Sequence, residues 1–196
     1  MSIRTNHPRP WWLAAAMLAL ATASPAKQVV GVDVPEHVQL GPAATDLTLN
    51  GAGVRTKIVI KVYVGGLYVA TPTHDAAAVI ADPGAQRILI HMVRDLDSKT
   101  LAEALREGLD ANLSAAELAP LEPRIAELTR MLTSRPTVTK GSQIFLDYVP
   151  GTGTQVTADG QVMGSIAGED FHVALLKIWL GAKPVDSDLK KAMLGL

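Results

Sequence analysis

The segment Leu47–Ala70 constrains the fold of this chain more than any other stretch. It is rich in β-branched residues, and from Val54 the even positions are mostly apolar, which is typical of a strand with one buried face. We predict two strands joined by a turn at Asn50–Gly53, the second of them central in a sheet. The odd positions of that strand carry Arg55, Lys57, Lys61 and Tyr63. This second face meets either solvent or an anionic ligand.

The beginning of the chain predicts export. Arg4 and Arg9 precede the apolar run Trp11–Ala23, and small residues follow, as in a secretory signal peptide. A membrane anchor is the alternative, but a span needs about 20 apolar residues and this run is shorter. We therefore predict a signal peptide over residues 1–26, cleaved near 23 or 26, and a single domain over residues 27–196.

The absence of cysteine excludes disulfides, thiol catalysis and cysteine zinc sites. An exported chain without cysteine suits the periplasm of a Gram-negative bacterium. Cleavage removes two of the 18 basic and none of the 19 acidic residues, so the mature chain is faintly acidic. Since it has no basic block, nucleic acid or an anionic membrane is not expected as its main partner. No membrane span is expected after cleavage.

The order of predicted elements indicates an α+β fold. Strands come first, the amphipathic stretch Ser98–Leu113 and a helix starting near Pro123 follow, and strands then return. An Asp-Gly turn at Asp159 predicts a hairpin over Thr154–Ala167. A helix over Phe171–Leu180 and a short last helix close the chain. We expect an antiparallel β-sheet with helices packed on one face.

Tests for catalytic and metal motifs give little. No two of the histidines that remain after cleavage have a metal-ligand spacing, and no calcium-type acidic ladder exists, so we expect no metal or cofactor. Asp147, beside Tyr148 on a predicted strand, could serve as a general acid or base. Such an aspartate more often lies at a sheet edge or pairs with a lysine.

Arg55 is the most informative polar residue. It follows Gly51–Gly53, a run of small residues that allows close approach of a backbone or ligand. One interpretation is a solvated arginine on an exposed strand face, since arginine is mostly a surface residue. The other is a planar fork for a carboxylate or phenolate in a partly dry cleft. Tyr63 and Tyr68 are candidate co-donors, although either could equally lie in the core.

Several segments taken together resemble the chalcone isomerase-like family, and most closely its exported bacterial branch. The likeness covers essentially the whole mature chain and implies an open-faced β-sandwich with helices layered on one face. The segments are Asn50–Arg55, Lys61–Tyr68, Lys140-Gly141, Leu146–Gly151 with Gly153-Thr154, and Ala174–Gly181 with Pro184-Val185.

The resemblance implies two possible activities. Plant members of the family cyclise chalcones, and an arginine steadies the anion while threonine and tyrosine hydroxyls polarise the ketone; other plant relatives bind fatty acids without catalysis. Arg55 matches the family arginine. The positions of the hydroxyl-bearing and other polar site residues fall near Tyr63, Leu101, Ala104, Gly108 and Ile178.

A site without its ketone-polarising hydroxyls lacks the groups that stabilise an oxyanion. We therefore predict a non-catalytic binder of a small apolar anion, such as a fatty acid or a phenolic compound, in a cleft between sheet and helices. An isomerase acting on a chalcone-like enone or phenol, with Tyr63 or Tyr148 as the acid, is one alternative. A structural or partner-binding envelope protein is another. The predicted ligand-binding residues are Arg55, Tyr63, Tyr68, Leu101, Leu105 and Ile178.

Overall fold

A computed structural model describes residues 25–196. A seven-stranded antiparallel sheet lies at the centre of the fold. The strands are β1 (Ala26–Val29), β2 (Val32–Pro35), β3 (His37–Leu40), β4 (Thr45–Lys57), β5 (Ile60–Val69), β6 (Gln86–Met92), β7 (Leu96–Asp97), β8 (Thr137–Val138), β9 (Gln143–Val149), β10 (Gly153–Ala158) and β11 (Gln161–Ile166). The helices are α1 (Ala76–Ala81), α2 (Ser98–Asn112), α3 (Ala115–Leu118), α4 (Glu122–Leu132), α5 (Glu169–Leu180) and α6 (Ser187–Met193). A 3₁₀ turn at Ala119–Leu121 joins α3 to α4.

The order of strands across the sheet is β11-β10-β9-β6-β5-β4-β3, and every neighbouring pair is antiparallel. The larger apolar core joins one sheet face to side chains of the helices. The smaller core lies on the other face and includes residues of β2, β3 and β4 but none of the helices. The predicted α+β fold, with its helices on one face of an antiparallel sheet, is confirmed.

The predicted turn at Asn50–Gly53 is wrong. These residues lie inside β4, and the chain reverses at Ile58-Val59, between the paired residues Lys57 and Ile60. The alternation from Val54 therefore continues through a hairpin rather than along one strand. A bulge in β5 follows the turn, because Arg55 pairs with Tyr63 while Thr56 pairs with Lys61.

The glycines of β4 have a long-range role. A Cβ atom at Gly51 would overlap the carbonyl oxygen of Ala192, and one at Gly53 would overlap the Cβ of Ala192. These two glycines therefore allow α6 to lie directly on β4. The small residues allow close approach, as the sequence suggested, but the group that approaches is helix α6 of the same chain.

Local sequence signals predicted the helices well. α2 buries Leu101, Leu105 and Leu109, and Asp97 caps its first turn. The side chain of Ser114 accepts from the Glu117 backbone N–H and the Glu117 side chain accepts in return, which forms a complete capping box for α3. The hairpin of β10 and β11 turns at Asp159-Gly160, where both residues have positive φ.

The first two described strands, β1 and β2, form a separate hairpin with Val30-Gly31 at its tip. Residues 1–24, which carry most of the predicted signal peptide, lie outside the described residues, so that prediction is untested. Ala26 pairs with Pro35 as the first residue of β1. Within residues 25–196 no helix is long and apolar enough to cross a bilayer.

Candidate functional site

Arg55 and Tyr63 lie opposite each other on β4 and β5, and the Arg55 guanidinium carbon is 5.8 Å from the centre of the Tyr63 ring. Directly opposite residues in an antiparallel pair place their side chains on the same face. Tyr63 belongs to the core on the helix side. Arg55 therefore lies on the side of the helices, a choice that the strand periodicity left open.

Tyr63 is held by a hydrogen bond from the core. It is only 3% exposed, and Trp179 Nε1 on α5 donates to its hydroxyl at 2.9 Å. Burial raises the pKa of Tyr63 to about 12, although the Trp179 hydrogen bond and the charge of Arg55 act in the opposite direction. The phenol is therefore neutral near pH 7, and its O–H proton is still free to be donated to an acceptor.

The Arg55 guanidinium makes no hydrogen bond or ion pair to another residue in the described part of the chain. The nearby Asp186 carboxylate is engaged elsewhere. Its Oδ2 accepts from the Thr56 backbone N–H at 2.9 Å, and its Oδ1 accepts from the first turn of α6 at Asp188 and Leu189, at 2.9 and 3.0 Å. Arg55 is thus a partly buried cation with its hydrogen-bond donors available.

A small cleft between β5 and α2 opens beside Arg55, with a volume of about 50 Å³. A water molecule needs roughly 10–15 Å³ measured in this way, whereas sites for whole organic ligands run to about 300–1,000 Å³. The cleft as it stands has room for a head group or a few waters. Its lining is Arg55, Lys57, Val62, Tyr63, Leu96, Thr100, Leu101, Ala104, Leu105 and Val185.

Four of the six predicted ligand-binding residues meet at this cleft: Arg55, Tyr63, Leu101 and Leu105. The other two do not. Tyr68 is buried in the smaller core on the opposite sheet face. Ile178 is fully buried on α5, against Gly108 of α2.

Sequence reasoning did not select two polar residues that line the cleft, Lys57 and Thr100. Lys57 lies two residues beyond Arg55 on the same strand. Because residues at this spacing share one strand face, the sequence could have identified Lys57 as well. Thr100 had no comparable signal, because it is a polar residue outside the apolar stripe of α2.

The comparisons with known proteins agree with this fold. A family model described as chalcone isomerase-like matches residues 26–195. The chain belongs to the chalcone isomerase-like family. Its structure is similar to that of a fatty-acid binding protein of Arabidopsis thaliana, with a TM-score of 0.60 and 18% sequence identity over 84% of this chain and 92% of that one. No curated protein matches the sequence.

The candidate acid–base residues of this chalcone isomerase-like chain have structural partners. Arg87 binds Asp147 in a bidentate ion pair, with distances of 2.6 Å from Nε to Oδ1 and 2.7 Å from Nη2 to Oδ2. Tyr148 stacks on the His172 ring with centroids 4.3 Å apart, and burial raises the pKa of its phenol. The carboxylate of Asp147 is therefore engaged rather than free to act as a base.

Proposed function

We propose that this protein is an exported, periplasmic binder of a small apolar anion, such as a fatty acid, and that Arg55 holds the anionic head group. The observation that carries the proposal is the Arg55 guanidinium, which has no hydrogen-bond or ion-pair partner among residues 25–196 and lies partly buried over the ring of Tyr63 at an apolar cleft. A partly desolvated cation that no carboxylate of the described chain contacts has free donors, so a position of this kind favours an external anion.

The donors around the cleft suit a carboxylate. The guanidinium fork can bind both carboxylate oxygens, and such charge-assisted hydrogen bonds are about twice as strong as neutral ones. The Tyr63 hydroxyl can donate its proton to the same group, because its bond from Trp179 uses only an acceptor site. Lys57 adds positive charge at the cleft.

The tail of the ligand requires more space than the cleft provides. Its inner lining consists of Val62, Leu101, Ala104 and Leu105, an apolar surface divided between β5 and α2. We infer that α2 moves away from the sheet when a long chain enters between them. Ligand loading is then expected to lower the hydrogen-exchange protection of α2, while β6 and β9 stay protected. A fatty-acid binding protein with this fold supplies a precedent for the ligand class.

Mass spectrometry of small molecules released by denaturation tests the proposal. The parent protein, Arg55→Ala and Arg130→Ala are purified from the periplasm of a Gram-negative host. Arg130 is a matched control, since its side chain is 75% exposed on α4 and does not line the cleft. We expect a stoichiometric amphiphilic anion in the parent and in Arg130→Ala, and at least about tenfold less in Arg55→Ala.

Two results would count against this function. An empty parent protein that also fails to bind added fatty acids would remove the binding role. Equal ligand in the parent and Arg55→Ala would remove Arg55 as the head-group site. The intact mass of the purified parent also tests export, because cleavage near residue 23 or 26 predicts a chain that begins at Ser24 or Lys27.

A further inference from the structure

Exposed apolar side chains are concentrated at one end of the molecule. At the β4–β5 turn, Ile58 is 92% and Val59 83% exposed, and Ile60 follows them at 47%. Val30, at the tip of the β1–β2 hairpin, is also 47% exposed. Among residues 25–196, only Val162 and Leu196 join these four as exposed large hydrophobics.

The backbone at both tips is unsuited to its residues. Ile58 has a φ of 62° and Val30 a φ of 44°, in the left-handed region that β-branched side chains rarely adopt. Two-residue hairpins favour glycine or asparagine at such positions. Folding alone therefore gives no reason for valine and isoleucine here, and strain of this kind is found where function requires the side chain.

Cations surround the two tips. Lys57 and Lys61 flank the β4–β5 turn in sequence, and both are exposed. Lys61, Lys140 and Val30 line one shallow depression, which brings the two hairpins to a common surface. None of these three lysines forms an ion pair with any residue in the described range 25–196.

The carboxylates of Asp186 and Asp95, which lie close to this surface, accept hydrogen bonds from backbone groups, and the Asp33 carboxylate near the β1–β2 tip accepts from the Gln28 side chain. Asp186 accepts from the Thr56 backbone N–H, and Asp95 Oδ1 accepts from the Lys140 backbone N–H at 2.7 Å. Although the mature chain is faintly acidic overall, the fold brings Lys140 to the same surface as Lys57 and Lys61, which lie on a distant segment of the sequence.

We propose that this docking edge, made of Val30, Lys57–Lys61 and Lys140, binds the surface of an anionic lipid bilayer. The apolar tips enter the interface between head groups and acyl chains, and the lysines contact the lipid phosphates. Apolar insertion combined with electrostatic attraction is how peripheral proteins bind anionic membranes. Lys57 also lines the Arg55 cleft, so docking presents the cleft to the lipid surface. The inference does not depend on the proposed ligand.

Vesicle co-sedimentation tests the docking edge. The vesicles consist of phosphatidylcholine, either alone or with about one-third phosphatidylglycerol. Parent and variants are compared with the same N-terminus, verified by intact mass, because an uncleaved Trp11–Ala23 segment would itself bind lipid. We expect the parent to bind the anionic vesicles, and more weakly as salt is raised.

The tip variant Ile58→Gly/Val59→Ser places glycine at the positive-φ position, so it is expected to fold at least as stably as the parent. It should bind anionic vesicles at least about tenfold more weakly. Lys61→Glu should weaken binding severalfold, and only on anionic vesicles. Val162→Ser removes an exposed valine from β11, which lies four strands along the sheet from β5 and is not part of the docking edge, and it should bind as the parent does.

Three results would overturn the inference. The first is a parent protein that does not bind anionic vesicles. The second is a tip variant, shown to be folded by circular dichroism, that binds as well as the parent. The third is equal loss in Val162→Ser, which would indicate unspecific adsorption. The ligand released from the tip variant is measured separately, so failure of docking and failure of ligand binding remain distinguishable.

Discussion

At one end of the central sheet Arg87 of β6 faces Asp147 of β9, and at the other end Arg55 of β4 lies near the ring of Tyr63 and has no ion pair with any of residues 25–196. We call the first the closed end; on the opposite sheet face it also holds the hydrogen bond between His172 Nε2 and Gln86 Oε1, at 3.0 Å. The second is the open end, where the lysines of the docking edge have no ion pairs among the described residues.

The difference between the two ends separates two uses of a charged residue. A buried charge that is paired and hydrogen-bonded belongs to the fold, since removing its partner leaves an uncompensated charge. A partly exposed charge without a partner contributes little to stability and is available to a ligand. Substitutions at the closed end should therefore change stability, and substitutions at the open end should change binding.

The largest effect is expected for Arg87→Ala. The Asp147 side chain is 5% exposed and would lose both of its hydrogen bonds from Arg87. We expect a loss of about 3–5 kcal/mol in the free energy of unfolding, measured with urea. The double variant Arg87→Met/Asp147→Leu should recover most of this loss, because an apolar pair leaves no buried charge. A loss below about 1 kcal/mol in Arg87→Ala would show that the closed end is not held by this pair.

The next effect is a pH dependence caused by His172. Burial lowers the pKa of His172 to about 4, against an ordinary value of 6.5. Between these values the unfolded chain binds a proton that the folded chain does not. The contribution of His172 to the free energy of unfolding is therefore fully present above pH 6.5. It is lost as the pH decreases towards 4, by up to about 3 kcal/mol.

The variant His172→Gln isolates this contribution. Its amide can still hydrogen-bond with Gln86, but it does not titrate. Urea denaturation at a series of pH values should give a shallower decrease for the variant than for the parent between pH 6.5 and 4. Identical slopes would assign the acid sensitivity to other groups.

A smaller effect is expected for Tyr63→Phe, which tests whether Tyr63, next to Arg55, contributes to the stability of the fold. Trp179 is fully buried, and its indole N–H would lose its acceptor. The expected cost is about 1–3 kcal/mol of unfolding free energy. Tyr68→Phe is the control, because its hydroxyl makes no hydrogen bond to the described residues. Equal costs for the two variants would mean that the Trp179 bond does not anchor Tyr63.

Local patterns predicted the elements whose cause is local. The apolar stripe of α2, the capping box at Ser114 and the Asp159-Gly160 turn each depend on a few consecutive residues. The turn at Ile58-Val59 was missed because β-branched residues are typical of strands. The glycines at 51 and 53 indicated a turn. They are required instead because α6, about 140 residues later in the chain, packs against them.

The site was predictable only in part, for reasons of strand geometry. Tyr63 and Tyr68 are an odd number of residues apart, so on a regular strand they lie on opposite faces, and the sequence alone could have excluded one of them. The side that Arg55 faces depends on the turn and bulge in the hairpin and on where the helices pack. The cleft volume depends on the distance of α2 from β5, which no local pattern encodes.

The smallest effect on stability is expected for Arg55→Ala, and it is the sharpest test of the comparison. Arg55 is partly exposed and has no ion pair in the described chain, so its loss leaves no buried partner without a bond. We expect a change of less than about 1 kcal/mol in unfolding free energy. The same variant should lose the bound anion, whereas Arg87→Ala should be measurably destabilised. If Arg55→Ala instead destabilised the fold as strongly as Arg87→Ala, then Arg55 would be a structural residue, and the open end would not be available to a ligand.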